Sequence, residues 1–81
     1  MALSTIDRLI SKHGMPPGYR RISWDQVSLG RTVWLWGTCR GQPTAHGPYG
    51  VVDADRRQLE NRRGQRFLHY PEDLLVPQEP R

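Results

Sequence analysis

In the stretch Arg31-Thr32-Val33-Trp34-Leu35-Trp36-Gly37-Thr38, residues Thr32, Trp34, Trp36 and Thr38 alternate with Val33, Leu35 and Gly37. That period of two, rich in β-branched and aromatic side chains, predicts a strand with one face turned to a core. The two tryptophans then share one face, while Val33 and Leu35 point to the other. Further along, Tyr49 to Asp53, Gln58 to Glu60, Gln65 to Tyr70 and Leu74 to Val76 read as four more short strands. Gly41, Pro43, Gly47 and Pro48 mark Arg40 to Pro48 as a loop, and Asn61-Arg62-Arg63-Gly64 has the form of a tight turn. Pro71-Glu72-Asp73 allows one helical turn, since proline suits a first helical position.

Upstream, the punctuation changes to that of a helix. Ser4 can cap the first N–H groups, and Asp7 suits the positive helix start. Ile6, Leu9, Ile10 and His13 follow at helical spacing, and Gly14 with Pro16 ends the run. About ten residues of helix are marginal alone, so the stripe needs a surface to cover. Met15 to Tyr19 is a stiff connector, and Ser23 to Val27 a capped single turn. Trp24 is expected as a lid on one end of the core.

Several short strands with frequent turn signals predict a mainly β fold. The expected form is a small barrel of about five strands with an N-terminal helix packed on it. Closure would hide sheet edges that invite aggregation. The organisation expected is helix and connector over residues 1–21, barrel over 22–77 and a loose tail over 78–81.

The layout over Ile22 to Pro77 resembles the SH3-like small barrels, a group that includes Tudor and KOW domains. Three pieces carry the resemblance: Trp24-Asp25-Gln26-Val27-Ser28-Leu29-Gly30 before a strand, Gly47-Pro48-Tyr49-Gly50-Val51-Val52 entering the next, and Tyr70-Pro71-Glu72-Asp73-Leu74-Leu75-Val76 at the end. The run Phe67-Leu68-His69-Tyr70-Pro71 is also similar to the ending of the plasmid-borne type II dihydrofolate reductases, which build one pore from four short barrels. Leu68 stands where their active strand carries a glutamine, so the amide that would contact cofactor and substrate is missing. The resemblance therefore implies a fold and no reductase activity, and a shared fold assigns no chemistry by itself.

The 81 residues carry 12 basic and 8 acidic side chains, for a formal charge of +4. Eleven of the basic residues are arginine and one, Lys12, is lysine. A guanidinium pairs bidentately with phosphate or carboxylate and stacks on flat rings, so an anionic partner is expected, nucleic acid first. The candidates are Arg56, Arg57, Arg62, Arg63 and Arg66 around one hairpin, with Arg31 and Arg40 beside the first strand. The hairpin geometry is expected to gather the five at one end. The bland alternative is a solvated hairpin whose arginines pair with Asp53, Asp55 and Glu60. Trp34 and Trp36, if exposed, would stack bases at about 1–3 kcal/mol each. The competing expectation, which the unclaimed helical stripe favours, is that Ile6, Leu9 and Ile10 cover them.

Cys39 is the one cysteine, so no internal disulfide is available. Cys39, His46 and His69 lack the close-set pairs of a zinc site, so no metal or other cofactor is expected. His46 reads as a turn residue in water and His69 as a half-buried barrel histidine. No catalytic motif is present, and so small a barrel offers little concave volume unless it oligomerises. No stretch approaches the roughly 18 apolar residues of a membrane span, and no signal peptide is visible, so a cytoplasmic protein is expected.

The function expected is a small, basic, non-enzymatic module that binds nucleic acid through an Arg-rich hairpin. The alternatives are a protein-interaction adaptor or accessory protein of a mobile element engaging an acidic protein, and an oligomeric small-barrel enzyme.

Overall fold

The computed structural model describes residues 4–78. Its elements run α1 (Thr5–His13), β1 (Tyr19–Ile22), a 3₁₀ turn (Trp24–Gln26), β2 (Thr32–Cys39), β3 (Gln42–Asp53), β4 (Gln58–Glu60), β5 (Arg66–Phe67) and β6 (Leu74–Pro77). All six strands join one antiparallel sheet in the order β1-β6-β2-β3-β4-β5. The fold is mainly β with one short N-terminal helix, as the alternation and capping signals predict. Among the described residues no helix is long and apolar enough to cross a membrane.

Two details depart from the expected barrel. Six strands are present among the described residues, because Tyr19–Ile22 pairs with β6, from Tyr19 against Pro77 to Ile22 against Leu74. The sheet is also open, with β1 and β5 at its ends and no pairing between them among the described residues. β5 is only two residues long, and His69, two residues beyond its end, takes a positive φ of 56°. His69 itself is exposed, not half-buried. The Pro71–Asp73 segment forms a bend and no helical turn.

The stretch Arg40 to Pro48 is not a loop. Arg40 and Gly41, at φ 54° and 79°, make a two-residue hairpin turn between Cys39 and Gln42. Positive φ at both central residues matches the right-handed twist of a hairpin. Pro43 fits inside β3 because β4 pairs only with Gly50–Asp53, leaving the first half of β3 with one neighbour. A missing N–H is tolerated on such an edge.

The core lies inside the curved sheet and comprises Ile22, Trp24, Val27, Val33, Val51, Leu59, Leu74 and Val76. Trp24 is buried with this cluster, its indole N–H donating to the Glu72 carbonyl at 3.0 Å. Fully burying each of these aliphatic side chains contributes about 1.5–3 kcal/mol. A register shift between Val33 and Leu35 bends β2, whose Trp34 faces Leu75 of β6 while its flanks pair with β3.

Helix α1 is tied to β1 through Arg21 and to β2 through Trp36. Ser4 and Asp7 form a reciprocal capping box at its start, and the Gly14 N–H donates to the Ile10 carbonyl at its end. Arg21 of β1 binds Asp7 and also Asp73 at 2.7 Å, so one guanidinium ties helix, strand and bend together. The Glu72 carboxylate accepts from the Ile6 N–H at 3.2 Å, satisfying a donor that the helix start leaves open. Residues 79–81 of the expected tail lie outside the described residues. Gln78 before them donates its N–H to the Gly18 carbonyl at 2.8 Å.

Candidate functional site

The tryptophan face is occupied. Trp36 donates its indole N–H to the Gly14 carbonyl at 3.1 Å and stands 6.0 Å from the His13 ring. Trp34 meets the Tyr19 ring edge-on at 5.6 Å. The cover comes from the end of α1 and from Tyr19, rather than from the Ile6–Leu9–Ile10 stripe alone. Both indoles are half-buried, each beside one aromatic ring.

The five hairpin arginines are not gathered at one end. Arg56 and Arg57 lie in the turn before β4, and Arg62 and Arg63 in the turn after it. Arg57 and Arg62 are therefore separated by roughly 16 Å along the strand. The two ends differ in charge. At the first, Arg56 contacts Asp53, its backbone N–H bonding the same carboxylate at 3.0 Å, and Arg57 lines a depression with Asp25 and Asp55. Two arginines there share their surroundings with three aspartates, and only Arg56 comes within ion-pair distance of one. At the second, Arg62, Arg63 and Arg66 meet only Glu60, which binds Arg66 at 3.0 Å. Among the described residues, Arg62 and Arg63 make no ion pair.

The turn that carries them is tightly held. The Asn61 side-chain oxygen accepts from the N–H groups of Arg63 and Gln65, both at 2.9 Å, and its amide donates to the Gln65 side chain at 2.9 Å. The Asn61 N–H donates to the Gln65 carbonyl and the Gly64 N–H to the Asn61 carbonyl. Gly64 supplies the positive φ, 78°, that closes the turn. Side-chain bonds of this kind replace the ladder bonds a turn lacks, so the backbone under two guanidiniums is ordered before any ligand arrives.

Beside the turn lies a shallow groove in two adjoining parts. One, of about 350 Å³, is lined by Thr32, Pro48, Gly50, Val52, Glu60 and Arg62 among others. The second, of about 290 Å³, shares Arg62 and adds His46 and Arg63. His46 is an exposed strand residue of β3, not a turn residue. Its imidazole lies over Gly37 so closely that a Cβ at Gly37 would overlap it. Tyr49 and Phe67 stack edge-on at 5.3 Å at the open end of the core.

Arg40 sits exposed at the tip of the β2–β3 hairpin, roughly 15 Å beyond His46. Arg31 is half-buried, and its Nε has no hydrogen-bond partner among the described residues. Neither belongs to the groove as His46, Asn61, Arg62 and Arg63 do. A glycine inside a strand pattern, Gly50, is the signal in the sequence that marks this groove. That His46 lines one groove with Asn61, Arg62 and Arg63 leaves no such mark. No protein-family model, curated protein or solved structure matches the chain.

Proposed function

We propose that this chain is a non-enzymatic module that binds nucleic acid through the Asn61–Gln65 turn and the groove beside it. The observation that carries the reading is the charge imbalance across β4. Three arginines face one glutamate on the turn side, and Arg62 and Arg63 have no acidic partner among the described residues. A guanidinium on an ordered turn presents its donor fork to a phosphate at little further entropic cost. His46 extends the same cationic or hydrogen-bonding edge, and Arg40 stands further along the β2–β3 hairpin for a distal phosphate. Arg56, Arg57 and Arg31 have smaller parts, the first two because aspartates surround them. The open antiparallel sheet is read as a partly opened barrel of the SH3-like kind, with the tryptophans serving structure.

Fluorescence anisotropy of labelled oligonucleotides across a salt series tests the reading. Binding weakens steeply with salt, and Arg62→Ala with Arg63→Ala lowers the log–log slope by about 1.4 on single strands. No retention of any oligonucleotide at low salt rejects nucleic acid as the partner, and capture of an acidic protein under the same conditions would replace it.

A further inference from the structure

Gly50 occupies the middle of a row, Thr32–Gly50–Glu60–Arg66, that runs across four paired strands on one face. A glycine in a strand interior weakens the strand, so its presence calls for a reason. Neither usual reason applies. Its φ lies outside the left-handed region, and a Cβ built on it meets nothing within 4 Å. That Cβ would instead project into the groove of about 350 Å³, whose sides include Pro48 and Val52 and whose rim carries Arg62. The glycine keeps a seat between Pro48 and Val52 open next to two guanidiniums without acidic partners among the described residues.

From this geometry we infer that the seat over Gly50 takes one unpaired nucleobase, so that the module selects single-stranded over duplex nucleic acid. The inference rests on the proposed function and names the ligand class of that same groove. A groove of this volume lies near the small end of ligand sites and suits a single flat ring. The bare Gly50 peptide lets the ring approach the strand, and Pro48 and Val52 bound it. Arg62 and Arg63 hold the phosphates on either side. A base inside a duplex presents only its edge, already paired, so it cannot enter; a splayed base can. A flat apolar contact accepts any base, so little sequence preference follows.

Gly50→Val fills the seat and leaves the arginines in place. Anisotropy titrations compare a labelled mixed-sequence single strand with its blunt duplex at one salt concentration. The comparison uses wild type, Gly50→Val and Arg62→Ala/Arg63→Ala, each checked by circular dichroism and melting temperature. Gly50→Val stays folded, since valine favours an extended strand. Wild type is expected to hold the single strand about tenfold tighter than the duplex. Gly50→Val loses that preference, with duplex binding unchanged, and the double arginine variant weakens both. Equal wild-type affinity for the two forms, or a folded Gly50→Val that keeps the preference, overturns the base seat while the arginine reading stands. Absence of binding to either form overturns both. Should Gly50→Val melt early, Gly50→Ala provides the smaller obstruction and the same readout.

Discussion

The indole N–H of Trp36 donates to the carbonyl oxygen of Gly14 at 3.1 Å, fastening the end of α1 to the middle of β2. Gly14 has just left the helix, so its carbonyl has no ladder partner and accepts a side-chain donor instead. A nine-residue helix does not hold in water unaided, and this bond is one of the few that dock it. Trp36→Phe removes the donor and keeps most of the ring. It should cost about 1 kcal/mol, read as an earlier urea midpoint. Amide exchange over residues 9–14 should accelerate more than exchange in β3 and β4. Equal acceleration everywhere would assign Trp36 to the common core and not to the helix dock.

Asp7 holds the other end of α1. Its carboxylate bonds Ser4 and then Arg21, and both lower its pKa from the ordinary value of 3.8. Since folding lowers that value, the unfolded chain takes up the proton more readily. The contribution is complete above pH 3.8 and drains away as acid passes below it. Asp7→Asn should therefore lower the melting temperature at pH 7 and flatten its fall in acid. An unchanged acid limb in the variant would remove Asp7 from the account.

Gly37 and His46 give a sharper separation between stability and binding. A Cβ at Gly37 overlaps only the exposed imidazole, which can swing away, so Gly37→Ala should leave the unfolding free energy within about 0.5 kcal/mol of wild type. The displaced ring leaves the groove beside Arg62 and Arg63. Oligonucleotide affinity should fall two- to fivefold, with a shift of the His46 imidazole resonances. A variant that moves those resonances and binds normally would exclude His46 from the interface.

Gly47 behaves oppositely. At φ 155° its Cβ would come within 2.9 Å of Trp34 Cδ1 and 3.2 Å of the Val33 carbonyl, where a rigid indole and the backbone cannot yield. Gly47→Ala should cost about 2 kcal/mol through strain in a region open almost only to glycine. Thermal melting checks this, and a change below about 0.5 kcal/mol would show that the Trp34 packing relaxes freely.

Local signals were legible wherever a few consecutive residues supply all the bonds. The Ser4–Asp7 capping box, the 3₁₀ turn at Trp24, the Asn61–Gly64 turn and the alternation from Thr32 to Thr38 were each readable on those terms. Strand β1 was hidden because Tyr19-Arg20-Arg21-Ile22 carries little strand pattern and becomes one by pairing with β6, more than fifty residues away. The hairpin tip was misread for a related reason. Pro43 counts against a strand only where a neighbour demands its N–H, and which edges are free is a property of the assembled sheet.

The same division runs through the site. Residue order alone determined that this chain is a small, basic, mainly β protein with a capped helix, because caps, turns and alternation are contacts between near neighbours. Only the tertiary structure decided that β4 sets two arginines near three aspartates and the others beside a single glutamate, that α1 and Tyr19 pack on the tryptophans, and that Gly50 opens onto a groove. Those outcomes depend on which distant backbones lie side by side, and that is set by burying one shared core rather than by any local preference.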